Sequence, residues 1–332
     1  MAPRFGAKSR CNKRPSLSMW TRFALVLIGT TLLTNAAQAQ LAIPDRRTFA
    51  VSVVDAHHKP LWGLTTANFR GEFQGRPVRI VSSSRDAAPR RIALILDTSG
   101  SVMEEGQLQL SWAVAVHVVK KFTPNSSVAI FTVADKLLRH SDFLQDRTQV
   151  RQILSHVQAS SKVGKGRTAL LDGIIGAIRE FDPPGFADVV YLITDAGENA
   201  SRTDLRTAEF ELAKAGVRLF LVRLRPSRMY HLPTPEEFSN GLPQQLLTAS
   251  GGLMLELNPL VSYKPGQLSD KLLVFNEYIS EVYRLEVEFA GATDRPREWK
   301  LEVVDSNGRR VKEVEVVYPR LLVPQAGHPF VH

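Results

Sequence analysis

Cysteine is almost missing from this chain of 332 residues: the only one is Cys11, close to the start. No disulfide framework, cysteine-based metal site or thiolate nucleophile is therefore open to the rest of the chain. The eight histidines (57, 58, 117, 140, 156, 231, 328 and 332) show no HExxH or other ligand spacing. No histidine is placed by sequence beside a nucleophile elbow, so no Ser-His-Asp arrangement can be argued. A phosphate-binding loop is absent too. Gly164-Lys-Gly-Arg-Thr168 lacks the Gly-x4-Gly-Lys-Ser/Thr spacing and follows no apolar strand. After the first forty residues no stretch is long and apolar enough to span a bilayer.

Acidic residues are missing from residues 1–39, which hold six basic ones (Arg4, Lys8, Arg10, Lys13, Arg14, Arg22). The formal charge of +9 therefore sits mostly there, and the remainder carries 36 basic against 33 acidic residues. That near balance excludes a general nucleic-acid binder. The same segment continues into the apolar run Phe23–Leu33 and ends Ala37-Gln-Ala39. Basic, apolar and small-residue regions in that order read as a secretory signal over 1–39. The expectation is a periplasmic or secreted protein, touching a membrane only through an uncleaved leader. No cysteine follows the apolar run, which disfavours a lipid anchor.

What is present is a change of period along the chain. From Arg46 to Arg85 apolar residues alternate, with Phe49, Val51 and Val53 on one side and Ala50 and Ser52 between them. Phe69–Phe73 and Pro77–Ser82 flank Gln74-Gly-Arg76 as a hairpin would. From Ile92 the pattern changes: Ile92–Leu96 is continuously apolar, and similar runs recur at Val128–Val133, Val189–Ile193 and Val217–Val222, as for strands covered on both faces. Leu137–Phe143 reads as an antiparallel edge strand. Between these runs lie amphipathic helices. One carries Leu108, Trp112, Ala115, Val119 and Phe122, another Leu171, Ile174, Ile175, Ile178 and Phe181. A third, over 203–215, ends at Gly216.

This alternation predicts a doubly wound α/β domain with a mostly parallel sheet over 90–280. After Glu281 the period returns to two, with Tyr283, Leu285, Val287 and Phe289 and then Trp299, Leu301 and Val303. Neither flank, 40–89 or 281–332, has enough strands to bury a face alone. The two are expected to combine into one small β-sandwich.

In open parallel sheets ligands sit beyond the carboxyl ends of the strands. Ile92–Leu96 runs into Asp97-Thr-Ser99-Gly-Ser101, and Val189–Ile193 runs into Thr194-Asp195. A loop, Ser160 to Thr168, leads into the helix that carries Asp172. Asp97-x-Ser99-x-Ser101, a distant Thr168 and Asp195 after a buried strand resemble the metal-ion-dependent adhesion site of von Willebrand factor type A domains. The order of strands and helices over 90–280 extends the resemblance. The flanks, with Val53-Val-Asp55, Leu61-Trp-Gly-Leu64 and Phe69, are similar to those of exported bacterial members of that family.

The resemblance implies a doubly wound, Rossmann-like fold. It also implies that Ser99, Ser101 and Thr168 bind a divalent cation directly, with Asp97 and Asp195 acting directly or through water. Asp172 would orient the metal loop. Such oxygen ligands suit magnesium first, with manganese or calcium as alternatives. Two carboxylates leave room for a third from a protein partner presenting Asp or Glu, with Lys165 and Arg167 (and Lys162 nearby) steering it. Family members can also couple binding to movement of the last helix, here Leu268–Ile279.

One departure stands out. The family has glycine directly after the second aspartate, whereas this chain has Ala196 and then Gly197. Alanine tolerates fewer backbone conformations, so an altered loop and weaker metal affinity are expected.

Two other functional classes bear on the same residues. A scaffold with a vestigial metal site predicts that neither metal nor Asp97 affects any binding. An aspartic-type hydrolase is suggested by Asp97-Thr-Ser and Thr194-Asp195-Ala-Gly197, but such proteases are all-β and this chain is rich in helical periodicity. The reading is therefore a binding module and not an enzyme.

Overall fold

The computed structural model describes residues 45–104, 107–122, 125–160, 167–224, 241–261, 263–264, 266–291 and 293–324. The proposed leader and Lys165 lie outside them. The described residues form one compact unit.

In chain order the elements are β1 (Asp45–Asp55), β2 (Phe69–Phe73), β3 (Arg76–Asp86), β4 (Arg91–Asp97), α1 (Gly100–Glu104), α2 (Gln107–Lys121), β5 (Ser127–Val133) and β6 (Leu137–Arg139). There follow α3 (Arg147–Ser160), α4 (Leu170–Arg179), β7 (Val189–Thr194), α5 (Leu205–Ala215), β8 (Arg218–Leu224), α6 (Gly241–Ser250), β9 (Leu253–Leu257) and α7 (Gln267–Ser280). The chain closes with β10 (Val282–Phe289), β11 (Arg297–Val303), β12 (Val314–Val317) and β13 (Leu321–Leu322).

Six strands form a sheet in the order β6-β5-β4-β7-β8-β9, parallel except for the antiparallel edge β6. The continuous apolar runs have a direct cause. Ile92, Leu94 and Leu96 of β4 enter a core with Trp112, Leu154 and Phe275, from α2, α3 and α7. Ala93 and Ile95 enter another with Ile174, Leu212 and Leu246, from α4, α5 and α6. Both faces are covered, so every residue from Ile92 to Leu96 is apolar. Chain order reverses between β4 and β7, which opens a crevice at their carboxyl ends. The edge strand is shorter than its sequence run: β6 stops at Arg139, and Leu144 meets Val128 only as an isolated bridge. Gly216 closes α5 in the left-handed conformation, φ 64°, as its position suggests.

The flanks do combine. They form one antiparallel sheet, ordered β12-β1-β10-β3-β2-β11-β13, in which strands from both ends of the chain are neighbours. Four strand spacings separate β1 from β11, about 19 Å in a flat sheet. The rings of Phe49 and Trp299 on those strands are nevertheless 4.8 Å apart. The sheet therefore curls over its own core of Phe49, Val51, Leu285, Phe289, Trp299 and Tyr318. Trp62 packs against Tyr283 at 5.4 Å and lies beneath the Arg85 guanidinium.

β1 is buried on both sides from Phe49 to Val54, unlike the half-buried strand its alternation suggests. The reason is that its second face meets the parallel sheet's layer. Val54 joins the core of β4, and Ser52 meets Arg218, a fully buried arginine at the start of β8. Arg218 donates to the carbonyls of Gly251 (2.9 Å) and Tyr278 (2.8 Å), at the ends of α6 and α7, and to Ser52 Oγ (3.1 Å). Its guanidinium lies over the Phe220 ring. Two helix C-termini supply the negative potential that a carboxylate would otherwise provide. Burial, with Arg90 nearby, lowers its pKa to about 9, so it stays charged at neutral pH. The Tyr278 hydroxyl also donates to Glu315 on β12 (2.9 Å). The last helix is thus pinned to the curled sheet at its C-terminal end.

Candidate metal centre

Asp97 ends β4 at full burial. One carboxylate oxygen accepts the Ser99 backbone N–H (2.8 Å) and the other accepts the Thr194 hydroxyl (2.5 Å). Thr194 closes β7, so this bond ties together the two strands at the switch point. Ser99 Oγ and Ser101 Oγ are 3.3 Å apart, with Ser99 buried and Ser101 exposed at the start of α1.

Asp195 is half-buried and its Oδ1 accepts the Gly197 N–H (2.9 Å). A Cβ at Gly197 would lie 3.1 Å from Asp195 Oδ1 and 4.0 Å from Thr168 Oγ1, which places those two oxygens around one small space. Burial, reinforced by the Asp195 carboxylate, pushes the pKa of Asp97 up to about 6, although bonds from Thr194 and Ser99 pull it down. Of the five oxygen-bearing residues read from the sequence, Asp97, Ser99 and Ser101 are joined by direct contacts, Asp195 acts on Asp97 through its charge, and Thr168 flanks Gly197 beside Asp195.

Those donors fit a hard cation. All are oxygens, and the Asp195 carboxylate is near enough to add to the effect of burial on Asp97, so a cation between them would relieve the repulsion. Among the described residues no group of three or more His, Cys, Asp or Glu side chains could hold a metal. A cation here would depend on the hydroxyls as well as on the two acids.

Asp172 accepts the N–H groups of Arg202 (3.0 Å) and Thr203 (2.9 Å), and so faces the loop after Asp195. Burial works against its charged form, but the bonds from Thr203 and Arg202 outweigh it and leave its pKa below the ordinary value. Arg167 is exposed, and its guanidinium donates to the Asn199 carbonyl (2.9 Å).

Ala196 adopts φ 66°, the left-handed conformation that glycine would take at no steric cost. Its N–H donates to Thr194 Oγ1 (2.9 Å). Alanine thus holds this turn at a cost of roughly 1–2 kcal/mol in backbone strain.

Sequence reasoning gave no role to Thr194, Glu198 or Asn199. Thr194 did leave a signal, a hydroxyl ending an otherwise apolar buried run. The other two left none, because an acid and an amide in a loop ordinarily read as solvated.

No curated protein matches the chain. Among solved structures it is similar to the conserved hypothetical protein BatB from Bacteroides thetaiotaomicron, at 16% identity and a TM-score of 0.43, over 55% of this chain and 97% of that one. A von Willebrand factor type A protein from Catenulispora acidiphila is similar at 11% identity and a TM-score of 0.46, over 86% and 75%. Proximal thread matrix protein 1 from the mussel byssus, with a zinc-occupied MIDAS motif, is similar at 18% identity and a TM-score of 0.46, over 60% and 49%. At that distance these likenesses say nothing of function. A family model described as von Willebrand factor type A domain matches residues 92–199, from the first residues of β4 through the loop after Asp195. With the parallel sheet, its switch point and this match, the chain carries a von Willebrand factor type A domain.

Proposed function

We propose that the protein is an exported binding module that holds an acidic side chain of a protein partner through a divalent cation. One observation carries the reading: buried Asp97 and half-buried Asp195 are brought together with three hydroxyls at the switch point of the sheet. Such domains generally mediate protein interactions and often bind a divalent metal. Ser99, Ser101, Thr168, Asp97 and Asp195 would hold the cation, with magnesium the first choice and manganese or calcium the others. The cation would attract a partner carboxylate at the side where Ser101 and Asp195 reach solvent. Arg167 stands on that loop system and would steer an anionic partner toward it.

The basic and apolar leader over 1–39 supports export to the periplasm or beyond. Among the described residues no helix is long and apolar enough to cross a membrane. We take the module as 90–280, inserted between the β segments 40–89 and 281–332.

The test is thermal unfolding of the purified protein in chelator and then in millimolar Mg2+, Mn2+, Ca2+ or Zn2+, beside Asp97→Ala. A cation at about 100 times its Kd stabilises by about 2.7 kcal/mol, which corresponds to roughly 5–10 °C for a protein of this size. The expected result is an upward shift in the wild type that Asp97→Ala abolishes. No shift with any cation would sink the metal reading and leave the domain as a scaffold.

A further inference from the structure

The loop after Asp195 contains a carboxylate with four donors. Glu198 accepts the N–H groups of Ala200 (3.0 Å) and Ser201 (2.9 Å) at one oxygen. Its other oxygen accepts the Leu171 N–H (3.0 Å) and the Ser201 hydroxyl (2.8 Å). Leu171 lies in the first turn of α4, whose flanking residue Ala169 offers no side-chain cap. Glu198 therefore supplies, from a different loop, the acceptor that the open helix end lacks.

The next N–H of the helix, that of Asp172, donates to Ser201 Oγ (3.1 Å). Beside it, Asn199 Oδ1 accepts the Thr168 N–H (2.8 Å), while the Thr168 carbonyl accepts the N–H groups of Asn199 and Ala200, both at 3.1 Å. The backbone that carries Thr168 and the backbone that follows Asp195 are interlocked through Glu198 and its neighbour.

We propose that Glu198 is a positioning residue for the cation. By holding the start of α4 against the 197–203 loop, it sets the spacing between Thr168 Oγ1 and the Asp195 carboxylate before any cation arrives. This rests on the metal-binding reading above. A small divalent cation demands near-fixed spacings between its oxygens. Residues that orient the ligands without touching the metal typically govern affinity by about 10–100-fold. A carboxylate suits the place because all four partners donate, whereas an amide would turn its own N–H groups toward them.

The test measures Mn2+ binding by electron paramagnetic resonance, well below the unfolding temperature, for wild type, Glu198→Gln, Glu198→Ala and Asp204→Ala. Asp204 caps α5 by accepting the Thr207 N–H and touches none of the proposed ligands, so it serves as a control for loss of a helix cap. Glu198→Ala is expected to weaken Mn2+ by about 10–100-fold and Glu198→Gln by about tenfold. Asp204→Ala should bind as wild type does, although both alanine variants lower the unfolding temperature in chelator.

Wild-type affinity in Glu198→Ala would reduce Glu198 to an ordinary cap and overturn the proposal. Should that variant not fold, Glu198→Gln carries the test, since it keeps the side chain's shape. Absence of Mn2+ binding in the wild type would overturn the metal reading itself, a result seen without any variant.

Discussion

In the parallel sheet, successive residues of β4 enter two different cores, and the strand reaches Asp97 with no polar residue after Arg91. In the curled sheet, β10 buries Val282, Tyr283, Leu285, Val287 and Phe289, and turns Glu286 and Glu288 outward to Arg46 and Arg79. The two sheets handle charge differently as a result. Exposed pairs on the curled sheet are screened by water and contribute little each. Within the parallel sheet's layers Asp97 and Arg218 are desolvated, so each matters through the few groups aimed at it. Charge is placed for solubility in one region and for geometry in the other.

Arg218 should break this comparison most visibly. Arg218→Met keeps the chain length but takes the side-chain donor from the Gly251 carbonyl and leaves the Tyr278 carbonyl to Ser52 alone. One buried acceptor left unpaired and one weakened predict a loss of about 2 kcal/mol in urea unfolding. Arg46→Met on the curled sheet should leave the midpoint where it was. Because Arg218 and Ser52 both bond the Tyr278 carbonyl, the same variant asks whether the last helix can shift once released.

The pH dependence should differ in sign between the regions. The folded pKa of Asp97 is raised, so without metal its contribution favours folding below pH 3.8, is lost as pH rises toward about 6, and stays lost above. At 1.36 kcal/mol per unit the swing reaches about 3 kcal/mol. Urea unfolding at pH 4 and pH 7 in chelator should show it, and Asp97→Asn should flatten it. Metal affinity should fall as pH drops below about 6, because protons then compete for the same oxygen. Asp86 in the curled sheet behaves oppositely. Burial raises its pKa, but Arg284, Ala88 and Arg90 more than offset that, so its stabilisation is lost only as acid titrates it below its ordinary value.

The smallest expected effect sharpens the comparison at a single residue. Ala196→Gly should remove the left-handed strain and raise stability in chelator by about 0.5–1 kcal/mol, part of the strain relief being offset by the freer unfolded chain. Equilibrium unfolding resolves a change of that size. A decrease would mean that the alanine methyl makes contacts worth more than the strain.

Much of this was legible in the residues because burial writes itself into period. The runs at 92–96, 128–133 and 189–193 could only be strands covered on both sides, and the acids and hydroxyls at their carboxyl ends pointed to the crevice. The short elements were not legible. β13 has two residues and β9 five, too few to set a period, and α6 opens with Gly241-Leu-Pro243. Burial of the second face of β1 was hidden as well, since Ala50 and Ser52 suit either side of a sheet. Glu198 shows only through its hydrogen bonds. Arg218 did leave a trace: a lone cation in the apolar run 217–222 has to find partners, and nothing nearby in sequence supplies them.

The neighbouring of β3 and β10 has a consequence for the order of events during synthesis. Asp86 pairs with Val282, about 200 residues later. At 5–20 residues per second the first three strands wait roughly 10–40 s for their partners to be made. The inserted domain holds its own strands and helices and can form earlier. Closure of the curled sheet has to follow the emergence of β10, which pairs with both β1 and β3. A chain cut before β10 would leave β1 and β3 without the strand between them, and so with open edges that invite pairing with other chains.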